Sequence, residues 1–284
     1  MNQNNIKLSI IIPHYRTPEV LTLCLDAILK DVKNISYEII VSDGETDSGI
    51  LDEFKNKYPG IIFIENKKNV GFARLANAGI GRAKGEYIFE INADIIFTNG
   101  KDILDLIEYL EKNDNVGIVA PRLFNPDGSV QQTYFRNYTL PTILARRTFL
   151  GKTRLGKKIL DKFMYKDVNM SGSFEPDWVL GAAMMMASKR FAKIGGKFDE
   201  RFFMYFEDAD LCRRFKIAGF KIIYFPFTSF VHKHARASDR GKGIFDIFTN
   251  NLTRIHIASY LNYLIKWHIE IPLKMIYSNF KNKM

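Results

Sequence analysis

From Leu8 to Pro121 the chain alternates short β-branched runs with segments of helical period, and that rhythm leaves few folds open to it. Residues 8–13 read Leu-Ser-Ile-Ile-Ile-Pro, apolar almost throughout, as a strand covered on both faces must be. Residues 19–30 follow with Val20, Leu21, Leu23, Cys24, Ala27 and Ile28 at helical spacing, and Pro18 stands where a proline suits a helix start. Residues 37–42, 61–65, 87–92 and 117–121 repeat the strand signature, with helices expected over 48–58, 71–83 and 103–112. This alternation predicts an open α/β sheet with helices on both faces. Ligands of such sheets bind beyond the carboxyl ends of the strands, so chemistry is expected there.

The second half is less regular. Residues 177–186 read as a strand that carries Gly181, Ala182 and Ala183 into a tight place, 207–218 as a helix, and 221–224 as a strand. Beyond Gly243, apolar residues from Ile244 to Trp267 suggest long amphipathic helices, and the basic stretch 146–166 reads as a loop. The expected division is one large domain over 1–240, with halves at 1–121 and 122–240, and a helical extension over 241–284. Two cysteines, Cys24 and Cys212, exclude a disulfide scaffold, and neither belongs to a CxxC pair. The residues before Lys7 form no apolar leader, and the longest apolar run, 179–187, is far short of the roughly 20 residues of a spanning helix. These features lead us to expect a soluble protein of a reducing compartment.

The net charge of +10 is not spread evenly. Residues 141–170 hold eight basic against two acidic side chains, and residues 233–284 hold nine against three, so the remaining 202 residues are slightly acidic. Basic residues near an anionic membrane contribute about 1 kcal/mol each, enough for peripheral attachment by either segment. In the first, Phe149, Leu150, Ile159, Leu160, Phe163 and Met164 interleave with the bases as an interfacial helix would require. No nucleic-acid-binding motif accompanies the charge, so nucleic acid is not an expected partner.

Polar groups gather where the strands should end: Pro13-His14-Tyr15, then Ser42-Asp43-Gly44 with Asp47, then Asn92-Ala93-Asp94. A nucleotide fits such a crevice, and Asp94 offers a hard oxygen to Mg²⁺ or Mn²⁺ on a diphosphate. The run Gly79 to Gly85 is no dinucleotide fingerprint, because it closes a helix instead of opening one, and no GxxxxGK[ST] loop occurs. Glu207, Asp208 and Asp210 place three carboxylates in four residues behind the aromatic frame Phe202 to Phe206. A helix start tolerates such repulsion, and a partly desolvated carboxylate there suits a general base.

In order, these blocks resemble the inverting glycosyltransferases of family two, with the GT-A fold. Residues 9–15 (SIIIPHY) are similar to that family's opening strand, and 41–47 (VSDGETD) to its base-binding segment. Asn69-Val-Gly-Phe-Ala73 with Asn77-Ala-Gly79 resembles its N-x-G-F-A and N-x-G blocks, Asn92-Ala-Asp94 stands where its D-x-D motif does, and 177–182, 195–199 and 203–211 look like its acceptor and base blocks. The resemblance implies a Rossmann-like mixed sheet followed by basic C-terminal helices, with Asp208 as the base. It implies donor contacts from Pro13, Tyr15, Asp43, Gly71, Asn77, Asn92 and Ala93, with Asp43 on the nucleotide base. Acceptor contacts would come from Trp178, Gly181 and Glu207, and Asp94 and His232 would hold Mg²⁺ or Mn²⁺, with His234 a rival to His232. Arg74 reads as a phosphate contact or an exposed helix residue, and Trp178 and Tyr205 as sugar platforms or core.

Two positions depart from the family pattern: Ser42 replaces the first acid of the base-binding pair, and Asn92 the first Asp of D-x-D. Asn-x-Asp, the Asp-Trp-Val-Leu-Gly-Ala block and the tail from His232 to Ser238 most resemble bacterial rhamnosyltransferases of polysaccharide synthesis. That implies dTDP-L-rhamnose as donor, a lipid-linked or cell-surface glycan as acceptor, and a place at the inner face of the cell membrane. A UDP-hexose or UDP-HexNAc transferase, and a nucleotide-sugar-binding protein without turnover, are the alternatives left open.

Overall fold

The computed structural model describes residues 6–168, 172–233 and 250–272. Ten strands and nine α-helices are named below in chain order. The first half runs β1 (Leu8–His14), α1 (Pro18–Asp31), β2 (Tyr37–Gly44), α2 (Ser48–Lys57), β3 (Ile62–Asn66), α3 (Phe72–Ile80), β4 (Tyr87–Ile91), β5 (Ile95–Ile96), α4 (Lys101–Lys112) and β6 (Val116–Phe124). The second half runs β7 (Tyr134–Phe135), α5 (Leu140–Arg147), α6 (Arg154–Phe163), β8 (Trp178–Val179), β9 (Ala183–Ala187), α7 (Ser188–Lys193), α8 (Glu207–Ile217), β10 (Lys221–His232) and α9 (Asn251–Ile265). Eight strands form one mixed sheet in the order β3-β2-β1-β4-β9-β6-β10-β5, and β7 pairs with β8 beside it. Strands β1 to β4 run parallel, β9 enters antiparallel beside β4, and β6 and β10 run parallel to each other.

Why the strands read as unbroken apolar runs is now plain. Side chains alternate across a strand, so β1 sends Leu8, Ile10 and Ile12 to one core and Ile11 to the other. Strand β9 divides likewise, Met185 to the first core and Met184 and Met186 to the second. Helices α1 and α4 supply Leu21, Cys24, Leu25, Ile103 and Leu106 to the first core. Helices α3 and α8 cover the other face with Ala73, Ala76, Leu211 and Phe215.

Three segments depart from the sequence reading. The run 177–186 divides into β8, which leaves the main sheet, and β9, which joins it, with Gly181 and Ala182 in the corner between. The expected strand 221–224 continues to His232. Pro226 lacks an N–H for the ladder, yet the pairing with β6 resumes after a register jump between Phe225 and Ser229. The stretch 146–166, read as a loop, is instead the hairpin of α5 and α6 joined by a 3₁₀ turn at Phe149–Lys152. Glycines let that hairpin close, since a Cβ on Gly156 would stand 1.9 Å from the Leu150 carbonyl oxygen.

Of the extension expected over 241–284, the described part packs onto the second core through Tyr263 and Trp267. Asp210 of α8 anchors it: its carboxylate meets Lys266 Nζ at 2.5 Å, Trp267 Nε1 at 2.9 Å and Arg214 Nε at 2.9 Å, and is wholly buried. Removing one partner of a buried, hydrogen-bonded pair leaves an unanswered charge, at about 3–5 kcal/mol. We expect Asp210→Ala to lose about that much in urea unfolding at neutral pH, whereas a loss under about 1 kcal/mol would mean that α9 is held by its apolar contacts alone.

Candidate active site

At the expected sheet edge lies a cleft of about 240 Å³, lined among others by Asn92, Trp178, Gly181, Glu207, Asp208 and His232. Four elements bring these residues together. The end of β4 presents Asn92 and Asp94, the last residue of β10 is His232, the β8–β9 corner carries Gly181, and α8 opens with Glu207 and Asp208. The cross-links are local: Asn92 N–H donates to the Ala182 carbonyl at 3.0 Å, and Lys233 N–H to the Asp94 carbonyl at 2.9 Å.

Asp208 is buried, and both oxygens are fixed by backbone. Gly181 N–H donates to Oδ2 at 3.0 Å and Ala209 N–H to Oδ1 at 2.7 Å. Burial pushes its carboxyl up, these donors and the field of Arg146 pull it back, and it settles at about 6. A side chain on Gly181 would lie 3.2 Å from Asp208 Cβ, so the small residue there is part of the fit. The approach to α8 is strained, because Tyr205 (φ 73°) and Phe206 (φ 69°) are both left-handed without being glycine.

Two other acids share this neighbourhood. Glu207 is buried with Oε2 lacking a hydrogen-bond partner, and burial and the nearby Asp208 raise it well above the carboxylate range. Glu90, on the β4 face that also carries Ile88, is fully buried with both oxygens unpartnered, and burial followed by the fields of Glu207 and Asp208 raises it well above its usual value. An isolated carboxylate at such a position neutralises. The cluster therefore carries one charge, on Asp208, and two protonated carboxyls behind it.

His232 Nε2 lies 3.1 Å from Asp94 Oδ1 and 3.4 Å from Asn92 Nδ2. Its other nitrogen, Nδ1, is 2.7 Å from Gln131 Oε1, and the Gln131 amide is oriented by donating from Nε2 to Asn125 Oδ1 at 3.1 Å. Gln131 Oε1 accepts, so Nδ1 donates to it and Nε2 faces the Asp94 carboxylate. A carboxylate oxygen and an imidazole nitrogen side by side are two of the donors a divalent cation can take, and this buttress orients the ring as outer partners of metal-bound histidines do. The pair fits a divalent ion that takes its remaining ligands from a diphosphate. His234 lies outside the described residues.

Several expected donor contacts prove to be structural. Asp43 is fully buried: Oδ1 accepts from His14 Nδ1 at 2.5 Å and from Thr46 Oγ1 at 2.6 Å, and Oδ2 from Thr46 N–H at 3.0 Å. Burial would raise its carboxyl, but these hydrogen bonds win and hold it below the ordinary range. Asp43 therefore shapes the β2–α2 turn through these bonds. The surface in front of it is a cavity of about 400 Å³ lined by Arg16, Glu45, Thr46 and Lys67. Asn77 clamps the backbone of Phe198, accepting from its N–H at 2.8 Å and donating to its carbonyl at 3.0 Å. Gly71 (φ +87°) is a junction, where any Cβ would meet the Phe203 carbonyl oxygen at 2.4 Å. Pro13 and Ala93 are buried, Tyr15 is exposed beside Glu45, and Arg74 pairs with Glu200 at 3.5 Å on the surface.

Trp178 is both core and wall. It stacks between Phe135 and Tyr138, with ring centroids at 4.5 and 5.2 Å, and lines the cleft. The sequence reading missed Gln131, Tyr138, Arg146 and His256. The last lines the cleft from α9, against Tyr205 at 4.9 Å between ring centroids, a contact only tertiary packing creates.

Comparison with known proteins agrees with this geometry. The profile of Glycosyl transferase family 2 matches residues 9–177. The chain is 28% identical over 259 residues to Rhamnosyltransferase WbbL of Escherichia coli strain K12, covering 86% of this chain and 90% of that one. It is 24% identical over 214 residues to an N-acetylglucosaminyl-diphospho-decaprenol L-rhamnosyltransferase of Mycobacterium tuberculosis, covering 71% and 68%. Among solved structures it superposes on the mannosyltransferase PcManGT from Pyrobaculum calidifontis, in complex with GDP-Man and Mn²⁺, with TM-score 0.55 and 14% identity. GalNAc-T7 with UDP, GalNAc and Mn²⁺ gives TM-score 0.59 and 15% identity. The alignments cover 83% and 82% of this chain but only 59% and 45% of those two, and at such identity they speak for the GT-A fold alone.

Glu90 supplies a test of the one-charge reading. The fold keeps it protonated, while in the unfolded chain it ionises near the ordinary value of about 4.3. Native stability thus falls as pH rises from that value toward the raised one, by about 1.4 kcal/mol per unit. Glu90→Gln cannot titrate, so its urea stability relative to wild type should improve as pH rises above about 5. A difference that does not change with pH would mean that Glu90 is ionised in the native protein.

Proposed function

Because this chain belongs to glycosyl transferase family 2, we propose that it transfers L-rhamnose, with inversion, from dTDP-L-rhamnose to a hydroxyl of a lipid-linked or cell-surface glycan. That it is a glycosyltransferase follows from the family; the donor, the acceptor and the residue roles are our reading. The observation that carries the reaction is Asp208, a buried carboxylate on the cleft wall with an affinity for protons near neutrality. The rhamnosyltransferases that align along most of this chain support the sugar, and the diphospho-decaprenol in one relative's name supports a polyprenyl-linked acceptor.

The reaction is a single displacement. The acceptor oxygen attacks the anomeric carbon, its proton passes to Asp208, and the bond to the nucleoside diphosphate breaks with both electrons leaving on phosphate. Gly181 and Ala209 N–H hold the Asp208 oxygens still, so the base meets the hydroxyl without reorganising. Protonated Glu207 beside it is free to donate a hydrogen bond to the acceptor sugar, and Trp178 and Tyr205 offer it a face. Asp94 and His232 would hold Mg²⁺ or Mn²⁺, which supplies positive charge to the departing diphosphate. The nucleoside would occupy the cavity beside Thr46 and Arg16 instead of reaching Asp43.

Where the enzyme works is read from its surface. No helix among the described residues is long and apolar enough to cross a membrane. The α5–α6 hairpin, however, exposes Phe149 (76%) and Leu155 (70%) among the exposed Lys152, Arg154, Lys157 and Lys158. The interfacial set differs from the one expected, since Phe163 turns inward onto Phe135 and Tyr138. Apolar tips amid bases suit the inner, anionic face of a cell membrane.

Two experiments test the proposal. Rhamnose transfer with Mn²⁺ or Mg²⁺ should fall about 10²–10⁴-fold in Asp208→Asn with dTDP affinity kept, and wild-type kcat/KM should rise with pH through about 6 before levelling. EDTA should abolish transfer; full activity in Asp208→Asn would remove it as base. In flotation at low salt the protein should rise with anionic vesicles but not neutral ones, and Phe149→Glu with Leu155→Glu should abolish the effect. Equal recovery with both vesicle types would exclude an electrostatic attachment.

A further inference from the structure

Beside the catalytic cleft, the α5–α6 hairpin frames a groove of about 350 Å³. Its walls are chiefly apolar, from Phe135, Ala145, Leu160, Phe163 and Met164, and Arg146 and Lys152 supply its basic groups. Phe135 and Arg146 line both spaces, so the two adjoin across these side chains. The volume is more than twice the ~150 Å³ of an engineered apolar cavity that takes up a benzene ring.

Arg136 pairs with Asp167 and Lys166 with Asp161, whereas Arg146 and Lys152 meet no carboxylate among the described residues. One guanidinium nitrogen donates to Tyr138 Oη at 2.9 Å, and the group lies over the rings of Tyr138 and Phe163 at 5.7 and 5.5 Å. Those contacts aim the guanidinium and leave most of its N–H groups for an anion. Its field also reaches Asp208, which places it on the base side of the cleft.

We propose that this hairpin cavity seats the first isoprenoid units of the acceptor lipid, with Arg146 and Lys152 answering its diphosphate. A polyprenyl diphosphate joins an apolar chain directly to a doubly charged anion, and the groove offers an apolar channel and two unanswered cations. From there the chain continues toward the exposed Phe149 and Leu155, and the attached sugar extends past Arg146 toward Asp208. The hairpin thereby does two things at once, resting on the bilayer and reading the head of a lipid drawn from it.

This inference rests on the lipid-linked acceptor proposed above, and its test uses binding alone, so it does not depend on the donor sugar. Titration calorimetry would use farnesyl diphosphate as probe against enzyme saturated with dTDP and Mn²⁺. We expect wild-type binding, a loss of at least about tenfold in Arg146→Ala, as for a charged hydrogen bond, and a smaller loss in Arg146→Lys. Met164→Trp, which fills the groove, should weaken farnesyl diphosphate and leave inorganic pyrophosphate unaffected. In both variants dTDP affinity should stay within about twofold, since the donor lies elsewhere. The proposal is overturned if wild type ignores farnesyl diphosphate, or binds pyrophosphate equally well, or if Arg146→Ala weakens dTDP by the same factor, which would assign Arg146 to the donor. Arg146 is exposed, so melting curves of Arg146→Ala should match wild type and keep the result interpretable.

Discussion

Three carboxyl groups within four residues enter an almost dry interior at the start of α8, and the protein is arranged around how each is answered. Asp210 receives full ionic partners and through them docks α9 onto the core. Asp208 receives two backbone N–H groups and a distant guanidinium, enough to keep its charge but not to make it indifferent to protons. Glu207 receives no answer at its buried Oε2, and neither does Glu90 facing the same core from β4. The gradation from paired, through supported, to unanswered separates an anchoring carboxylate, one that titrates at about 6 and two neutral acids built from the same functional group.

The other end of the sheet shows the opposite economy. His14, Asp43 and Thr46 look like a catalytic constellation on paper, and their hydrogen bonds are spent largely on one another. His14 even uses its second nitrogen to accept from Thr17 N–H at 3.1 Å. At His232 one nitrogen is spent on Gln131 and the other faces Asp94. What distinguishes the two histidines is what faces the second nitrogen, a backbone N–H at His14 and the Asp94 carboxylate with the Asn92 amide at His232.

Much of this was legible in the sequence because it rests on local patterning. The strands β1 to β4, the helices between them and the acids of α8 follow from periodicity and from spacing along the chain. The reading failed where a local signal was overruled from a distance. The strand expected over 221–224 runs on past Pro226, because a register jump absorbs the proline and carries His232 to the site. The bases of 146–166 suggested a solvated loop, whereas Phe163 had a buried place against Phe135 and Tyr138. Asp43 occupied the right position in a motif, and only its two neighbours in space showed that both oxygens were engaged.

Tyr205 and Phe206 hold left-handed backbone where glycine would be comfortable, immediately before the base. A glycine at either position would relax the chain and also discard the ring, Tyr205 from the cleft wall and Phe206 from its contacts with Tyr138, Tyr260 and Tyr263. Selection for a sturdier fold and selection for a well-placed carboxylate therefore pull this dipeptide in opposite directions. A lineage that gave up catalysis would be released from that conflict, and these two positions are where its sequence would first be free to drift.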